Sequence, residues 1–408
     1  MSTDDAAPNP VDQARRRVLV ASAAAAACLA APRIARADPD PWARVFAKMP
    51  PAMAAIARDP AHEVQLVWRR LSPRRGGGVD VAPYAWGRAP QRWFSPASTM
   101  KLPMALLMAE HLSAHGLDAD AVIALHAPPA TGEWPAGEPL AETFRRGLAR
   151  TFAVSDNVPY NRWYEALGTD RIHRRLQALG HPDVRLVSRY GSTDRDANRR
   201  TGGARLLDAA GVAVATLPAA EGEARTFPFG RAHAGRGWRN DDGTVVPGPR
   251  DFSASNFMPL ASGLALLQAF VLPGTVPASR RWAIDGPLRD ALLDALALRP
   301  RDSLDPRYDE ATYPDGYARW FLVGDGRARY PDGVRVLGKT GMAYGYCSEL
   351  ALVEDGDAGA RFLLGAVIHA NADGILNDDM YDYDTVALPF LAALGRAVLA
   401  VEREDHGA

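Results

Sequence analysis

Lysine is scarce in this sequence. Lysine and arginine together number 47, and the only lysines are Lys48, Lys101 and Lys339. Arginine therefore supplies positive charge almost everywhere, and a lysine that is kept indicates a task that arginine cannot perform. Arginine holds its proton at any working pH, whereas a buried lysine can lose its proton. The three lysines are therefore the first candidates for proton transfer.

Net charge is low as well. The 408 residues carry a formal net charge of −1, which gives no electrostatic reason to expect nucleic acid or an acidic membrane surface as a partner. Hydrophobic residues make up 47% of the chain and charged residues 23%, as is typical of a soluble globular protein. The length allows one large domain or two interlocked lobes.

Several chemical signatures are missing from the sequence. The nine histidines show no metal-ligand spacing, and neither a Gly-x-Ser-x-Gly turn nor a glycine-rich phosphate loop is present. These absences disfavour a zinc enzyme and a Ser-His-Asp hydrolase, and we predict no cofactor or metal. The last predicted helix is preceded by an acidic cluster that suggests either a calcium site or, preferably, a solvated acidic helix start. Its members are Asp378, Asp379, Asp382 and Asp384.

The N-terminal segment has the pattern of an export signal. Arg15–Arg17 precede an apolar run ending near Ala31, and about 14 apolar residues are too few for a membrane span but suit a signal-peptide core. The paired arginines resemble a twin-arginine signal, and we predict cleavage after Ala37. An uncleaved anchor helix is the alternative, and lipidation at Cys28 is disfavoured because Ala25 stands where lipoprotein signals usually carry leucine. We therefore expect a periplasmic or secreted protein without a stable membrane span.

Cleavage would leave one cysteine, Cys347. A single thiol cannot form an internal disulfide, so the exported protein must rely on its core or fold before export.

Predicted strands lie near both ends of the chain, with helices between them. This order suggests an α/β (α+β) fold, in which an antiparallel sheet lobe is built from both termini and an all-helical lobe is inserted. We assign residues 1–37 to the signal, residues 38–116 and 317–408 to the sheet lobe, and residues 117–316 to the helical lobe. A polar stretch rich in Gly, Pro and Arg, residues 218–255, is predicted to be a surface insertion. A site would form at the seam between the lobes.

Ser98-Thr-Met-Lys101 is a Ser-x-x-Lys motif at a predicted helix start. Three helical residues place Lys101 about 4.5 Å along the axis and on the face of Ser98. A neutral Lys101 could take the serine proton during attack on a carbonyl, but this requires lowering its pKa by roughly three units, at about 4 kcal/mol. The alternative is that Ser98 caps the helix and Lys101 lies on the surface.

Ser155–Asp156–Asn157, between two predicted helices, is a second motif that fits the same chemistry. The hydroxyl of Ser155 would relay a proton to a leaving nitrogen, and the amide of Asn157 would orient Lys101 and the substrate. Ordinary helix capping is the alternative.

Lys339–Thr340–Gly341 follows an apolar run at Val334–Leu337. Lys339 would attract a substrate carboxylate and depress the pKa of Lys101. Thr340 would add a hydroxyl contact, and Gly341 would allow close approach of a substrate. A plain strand end is the alternative for this motif.

Together, and in this order, the three motifs resemble those of class A β-lactamases and the related penicillin-binding DD-peptidases. The resemblance implies the β-lactamase and transpeptidase fold and an acyl-enzyme on Ser98. It also implies an oxyanion hole formed by the backbone N–H groups of Ser98 and Met342. The expected partner is a small β-lactam or peptidoglycan-like molecule, and the expected state is a monomer.

The chain departs from the family pattern in one loop. Class A enzymes deacylate with the glutamate of a Glu-x-x-Leu-Asn motif, where this chain has Asp194 and Asn198 at the same spacing. The carboxylate of the shorter Asp194 would retreat by more than about 1 Å, which matters for positioning water. A solvated loop charge is the alternative for Asp194. Three functions therefore stay open: a β-lactam hydrolase, a DD-peptidase or small-ester hydrolase, and a penicillin-binding sensor without turnover.

Overall fold

The computed structural model describes residues 40–87, 93–225, 232–284, 286–326 and 329–407. The predicted signal and Cys28 lie outside the described residues. Contacts divide the chain into two units, residues 1–43 and residues 44–408. In the first unit only residues 40–43 are described, where the first helix begins, and the statements below concern the second unit.

The strands, in chain order, are β1 (Gln65–Pro73), β2 (Val79–Gly87), β3 (Val122–Leu125), β4 (Ala141–Thr143), β5 (Arg200–Thr201), β6 (Ala204–Leu207), β7 (Ala213–Leu217), β8 (Ala220–Glu221), β9 (His233–Ala234), β10 (Gly237–Arg239), β11 (Val245–Pro247), β12 (Arg250–Asp251), β13 (Val334–Ala343), β14 (Tyr346–Asp355), β15 (Arg361–His369) and β16 (Ile375–Leu376).

The α-helices are α1 (Pro41–Lys48), α2 (Pro51–Ile56), α3 (Lys101–Ser113), α4 (Phe144–Ala153), α5 (Val158–Leu167), α6 (Thr169–Ala178), α7 (Arg195–Arg199), α8 (Leu260–Val271), α9 (Gly286–Ala297) and α10 (Leu388–Gly407). A π-helical turn at Tyr383–Ala387 leads into α10, and short 3₁₀ turns occupy Pro60–His62, Ala97–Met100, Pro273–Thr275, Ala278–Arg280, Pro300–Asp302 and Asp315–Tyr317.

The main sheet joins strands from the two ends of the chain. Its order is β13-β14-β15-β1-β2, and every neighbouring pair is antiparallel. The central pairing sets Gln65 of β1 opposite Val367 of β15. The predicted antiparallel sheet from both termini is therefore confirmed. β13 lies at an edge of this sheet, with one side not paired to another strand of it.

Helices cover both faces of this sheet. In β1 the indole of Trp68 donates to Glu402 of α10 at 2.8 Å, while the next side chain, Arg69, donates to the carbonyl of Ala261 in α8 at 3.2 Å. Consecutive strand residues point to opposite faces, so α10 and α8 lie on opposite sides. Strands β14 and β15 are buried almost throughout, which explains their nearly continuous apolar sequence.

The C-terminal helix is unusually apolar. Among the described residues, Tyr383–His406 is long and apolar enough to cross a membrane, with a mean hydropathy of 1.6, yet 61% of this window is buried inside the fold. It packs against β15 and α2. This burial is that of a core helix in a globular domain.

The segment between the sheet strands differs from the predicted all-helical lobe. It contains α4–α6, α8 and α9, but also a four-stranded sheet of order β4-β3-β6-β7. Helix α4 starts only at Phe144 because Ala141–Thr143 pair with β3. These strands are three to five residues long, too short to show a clear alternating pattern. The predicted lobe boundaries stay predictions.

The predicted insertion at residues 218–255 does not simply lie on the surface. Its described part forms short strand pairs, β9 with β12 and β10 with β11. At its end the ring of Phe252 stacks on Trp93, with centroids 4.2 Å apart. The end of the insertion therefore packs directly beside the segment that leads to Ser98.

Candidate active site

Ser98 lies on a tight turn that leads into a buried helix. The turn Ala97–Met100 is 3₁₀, and α3 follows at once, so the predicted α-helical start at Ser98 is replaced by a narrower turn. With three residues per turn, positions i and i+3 lie on the same side. The amine of the fully buried Lys101 is accordingly 2.9 Å from the hydroxyl oxygen of Ser98.

Ser155 meets the same amine from the loop between α4 and α5. Its φ of +64° is in the left-handed region, which non-glycine residues seldom adopt. Its hydroxyl oxygen lies 3.2 Å from the amine of Lys101, which also donates to the Ser155 carbonyl. Asp156, rather than Ser155, accepts from the N–H of Val158 at the start of α5. The hydroxyl of Ser155 is thus directed to the lysine and not to helix capping.

The edge strand β13 completes the cluster. The fully buried Lys339 donates to the hydroxyl oxygen of Ser155 at 2.8 Å and to the carbonyl of Thr340 at 3.0 Å. A Cβ on Gly341 would lie 2.3 Å from the carbonyl oxygen of Pro96 and 2.9 Å from the amide nitrogen of Ser98. Only glycine therefore allows the strand to approach the nucleophile turn this closely. The structure thus brings the three motifs together.

Burial controls the protonation of both lysines. It lowers the pKa of Lys101 to about 7, against the opposing effect of the charges of Asp156 and Glu133. The pKa of Lys339 is held well below its usual value, first by burial and then by the charge of Lys101. The two amines share the Ser155 hydroxyl, so their titrations are coupled. Lys101 is thereby able to act as a base near neutral pH.

Asn157, Asn198 and Met342 all line the cavity that contains Ser98. The amide of Asn157 donates to a carboxylate oxygen of Glu133 at 2.6 Å. The buried Asn198 accepts from the amide N–H of Arg189 at 3.0 Å, so its carbonyl oxygen is already engaged within the loop.

Asp194 is placed differently from the prediction. It is exposed, and its carboxylate caps the short helix α7 by accepting from the amides of Asp196 at 3.0 Å and Ala197 at 2.9 Å. It is absent from the residues that line the Ser98 cavity. An aspartate at this position satisfies the free N–H groups of the helix start, so one of its carboxylate oxygens is engaged within its own loop, as the alternative of a solvated loop charge expects.

The cavity beside Ser98 has a volume of about 790 Å³. Its lining comes from Asn157 and from segments within residues 93–98, 188–198, 250–256, 342–344 and 377–383. The third of these segments is the end of the predicted surface insertion. The insertion therefore forms part of the site, which its polar composition did not indicate.

Tyr190 and Glu133 are site residues that the sequence analysis missed. The hydroxyl of Tyr190 donates to the carbonyl of Ala97 at 2.6 Å, and its ring centroid is 4.8 Å from the amine of Lys101. Burial raises the pKa of this phenol, so it stays a proton donor. No local sequence pattern marks either residue, because both reach the site through loops.

Glu349 is a third missed residue, in β14 directly opposite Thr340. Its carboxyl is fully buried and accepts from the amides of Trp320 at 3.0 Å and Phe321 at 2.7 Å. The adjacent Ala318 carbonyl accepts from the Thr340 hydroxyl at 3.2 Å. Burial raises the pKa of Glu349 to about 7. Glu349 thus holds the loop at residues 318–321 against the Lys-Thr-Gly motif.

Carboxylates of the acidic cluster near residue 380 accept hydrogen bonds from backbone amides of the surrounding loop. Within the described ranges, no group of three or more His, Cys, Asp or Glu side chains is placed to hold a metal ion. Asp382 accepts from the amide of Ala372 at 2.9 Å, and Asp378 accepts from the amide of Met380 at 3.1 Å.

Comparisons with known proteins agree with the motifs. Residues 81–217 match the profile of the family described as "Beta-lactamase enzyme family", and this range includes Ser98, Lys101 and Ser155 but not Lys339. This segment is therefore similar to that family, which confirms the resemblance predicted from the motifs. No curated protein matches the chain.

Solved structures with similar folds are distant in sequence. A β-lactamase from Sphaerobacter thermophilus is 16% identical, with 88% of this chain and 97% of that chain covered and a TM-score of 0.49. A β-lactamase from Desulfarculus baarsii is 17% identical over 87% and 97% of the two chains, with a TM-score of 0.47. A protein named PBP-A is 13% identical over 87% of this chain and 96% of that chain, with a TM-score of 0.47.

Proposed function

We propose that this protein is a serine hydrolase of the β-lactamase type that forms an acyl-enzyme on Ser98. The observation that carries the proposal is the continuous chain of polar groups from the nucleophile to the edge strand. Lys101 lies 2.9 Å from Ser98 and 3.2 Å from Ser155, and Ser155 lies 2.8 Å from Lys339. This series of hydrogen-bonded groups can take a proton from Ser98 and deliver it from Ser155.

Acylation follows from this arrangement. Neutral Lys101 takes the hydroxyl proton of Ser98 as its oxygen attacks the amide carbon of the substrate. The N–H groups of Ser98 and Met342 stabilise the oxyanion. The carbon–nitrogen bond then breaks, and the proton passes from Lys101 through Ser155 to the leaving nitrogen.

Lys339 and Thr340 bind the substrate carboxylate, at the end of the hydrogen-bonded series that lies opposite Ser98. Lys339 is buried and its pKa is low in the free site. An incoming carboxylate favours its charged form, since an opposite charge raises the pKa of an amine. Substrate binding and protonation of Lys339 are therefore coupled.

A chromogenic cephalosporin with the purified protein, followed by intact mass measurement, tests acylation. We expect an adduct on Ser98 that is lost in Ser98→Ala. Lys101→Arg should slow acylation by about 10²- to 10⁴-fold, the range for loss of a general base. Lys48→Arg, which changes the exposed third lysine, should not slow it. Turnover that survives Ser98→Ala would refute the scheme.

Two carboxylates, those of Asp194 and Glu133, are candidates for a role in deacylation. Neither Asp194 nor Glu133 lines the Ser98 cavity. Asp194 caps α7, whereas Glu133 accepts from the amide of Asn157, which does line the cavity, and the charge of Glu133 acts on Lys101. We propose Glu133 as the carboxylate that orients the deacylating water. Glu133→Gln should leave acylation intact but make the adduct accumulate, while Asp194→Asn should leave the turnover rate unchanged at matched folded fraction. The reverse result would return the role to Asp194.

A penicillin-binding protein without turnover is the second candidate function. It is favoured by the protonated phenol of Tyr190, which occupies a place beside Ser98, and by the exposure of Glu133. A single stoichiometric adduct that persists for hours in the unaltered protein would support it. Sustained cephalosporin turnover would exclude it.

We further propose export to the periplasm, on the sequence of residues 1–37. Twin-arginine transport carries folded proteins and reads both arginines of the pair. Replacing Arg16 and Arg17 together by lysine in the full chain should therefore retain the protein in the cytoplasmic fraction. Unchanged export would argue against this route.

A further inference from the structure

Arg250, at the end of the insertion, is surrounded by aromatic rings. Its guanidinium carbon lies 5.2 Å from the ring centroid of Trp238, 5.4 Å from that of Phe252 and 5.3 Å from that of Tyr344. Arg250 and two of these rings, Phe252 and Tyr344, line the Ser98 cavity. We call these four residues the Arg250 cage.

The cation of the cage has no acidic partner within the described residues, since no carboxylate there lies within 4.0 Å of its nitrogens. The neighbouring Asp251 also lines the cavity, but its carboxylate accepts from the amide and hydroxyl of Ser253 at 2.8 and 2.9 Å. Aromatic rings attract the faces of a guanidinium, whereas its N–H donors point outward in the plane. A cation held in this way keeps its donors for a ligand, and a planar carboxylate fits them bidentately.

The position of the cage relative to β13 indicates which part of a substrate it meets. In this strand Lys339 lies at the proposed carboxylate end and Gly341 contacts the Ser98 turn. Tyr344 is the first residue after the strand, three residues beyond Gly341. Three extended residues span about 10 Å. A substrate whose carboxylate is at Lys339 and whose carbonyl is at Ser98 therefore directs its acyl substituent toward Tyr344 and Arg250.

We propose that the Arg250 cage is a second anion subsite and that the preferred substrates are dianionic. One carboxylate would lie at Lys339, and a second would be carried on an acyl substituent with an apolar or aromatic stem. The stem would pack on Phe252 and Tyr344, and the second carboxylate would pair with Arg250. This inference rests on the proposed function, because the subsite is defined relative to the acylated carbonyl.

Two penicillins that differ by one carboxylate test the subsite. Carbenicillin carries a carboxylate on its phenylacetyl side chain, and benzylpenicillin lacks it. We expect Arg250→Met to lower the ratio of their acylation rate constants, carbenicillin over benzylpenicillin, by about 10- to 100-fold, the value of a charged hydrogen bond. Benzylpenicillin alone should change less than about threefold by the same reasoning, because it makes no bond to Arg250.

Arg58→Met is the matched control. Arg58 also lies over an aromatic ring, 5.1 Å from the centroid of Phe46, but it does not line the Ser98 cavity. Its replacement should leave the ratio unchanged. An unchanged ratio in Arg250→Met, or an equal loss for both penicillins, would overturn the proposal and assign Arg250 to packing.

A binding measurement separates failure of the subsite from failure of the proposed function. Phenylacetate and phenylacetamide are titrated into Ser98→Ala, with tryptophan fluorescence as the readout. If neither penicillin acylates the unaltered protein, the proposed function fails. A preference for phenylacetate that is lost in Ser98→Ala/Arg250→Met still supports the anion subsite, and equal binding of the two probes refutes it.

Discussion

At the scale of single residues, Lys101 shows how burial alters an ordinary side chain. The amine is fully enclosed, and burial lowers its pKa to about 7 although Asp156 and Glu133 act in the opposite direction. An arginine in the same place would stay charged and could not accept a proton. Burial of the Lys101 side chain thus makes the neutral amine available near neutral pH, as general-base catalysis requires.

The pH dependence of acylation follows from this pKa. Lys101 is active when neutral, so the acylation rate should rise with pH and level off above an inflection near pH 7. We expect about a tenfold lower rate at one pH unit below the inflection. The measurement is the rate of adduct formation under single-turnover conditions between pH 5 and pH 9. A rate independent of pH in this range would contradict the role of Lys101 as base.

The sequence predicted some of these residues for a physical reason. Lys101 and Lys339 stood out because arginine replaced lysine almost everywhere else, and their spacing to Ser98 and the strand end matched a known motif set. Tyr190 and Arg250 could not be found in this way. Each is one of many tyrosines or arginines in loops, and only the folded path of the loop brings it to the cavity.

At the scale of secondary-structure elements, the contact between β13 and the nucleophile turn is the critical one. Gly341 has no space for a side chain, since a Cβ would lie 2.3 Å from the carbonyl oxygen of Pro96. Backbone atoms on both sides cannot move independently of the sheet and of α3. The strand and the turn must therefore separate if a methyl group is added.

Gly341→Ala should therefore impair both stability and acylation. We expect a loss of about 1–3 kcal/mol in the free energy of unfolding from overpacking, and a larger relative loss of acylation because the oxyanion donors separate. Gly274→Ala is the control, since a Cβ there has no neighbour within 4 Å. Chemical denaturation and adduct formation measure the two effects. Wild-type acylation in Gly341→Ala would contradict the placement of this strand.

Glu349 links β14 to the pH dependence of stability. Burial raises its pKa to about 7 in the folded chain, against 4.5 for an ordinary glutamate. Between these values the folded state binds more protons than the unfolded state, so the free energy of unfolding falls as pH rises. Above pH 7 this contribution is constant.

Glu349→Gln should remove this decline of the free energy of unfolding with rising pH. Between pH 4.5 and pH 8 the unaltered protein should lose about 3 kcal/mol more of its free energy of unfolding than the variant, as 1.36 kcal/mol per pKa unit gives. Denaturant titrations at both pH values measure the difference. Glu354→Gln, which also removes one carboxylate from β14, should keep the steeper decline. Parallel pH profiles for Glu349→Gln and the unaltered protein would contradict the assignment.

Elements with strong periodicity were predictable, and short ones were not. The apolar run over Leu260–Val271 is long enough to indicate a helix, and two consecutive prolines explain the helix break before Pro51. The strands around Val122–Leu125 were missed, because a run of four apolar residues does not distinguish a strand from a helical turn. Pairing with distant strands decides their conformation, and that information is not local.

At the scale of the whole molecule, the sheet depends on both ends of the chain. Strands β1 and β15 are neighbours although Gln65 and Val367 are far apart in sequence. The sheet therefore cannot form until nearly the whole chain is available, and such non-local pairing slows folding. This delay is compatible with export of an already folded protein, since the site and its cavity exist only in the complete fold.

Cys347 offers a test of how cooperatively this sheet opens. It lies in β14, is fully buried, and burial holds the pKa of its thiol well above the usual value. A protein lacking residues 1–37 has this single thiol, so a reductant should not change its denaturation midpoint. Because a thiolate is required for reaction, an aromatic disulfide reagent should label Cys347 only when the strands separate.

The labelling rate should therefore follow global unfolding. We expect negligible reaction in native buffer over minutes and the same denaturant dependence for labelling as for loss of far-ultraviolet circular dichroism. Cys347→Ala gives the background rate. Fast labelling in native buffer, with the dichroism signal unchanged, would mean that β13 detaches from β14 without unfolding of the rest. Since β13 carries Lys339 and Gly341, acylation would then be limited by the fraction of molecules in which this edge strand is in place.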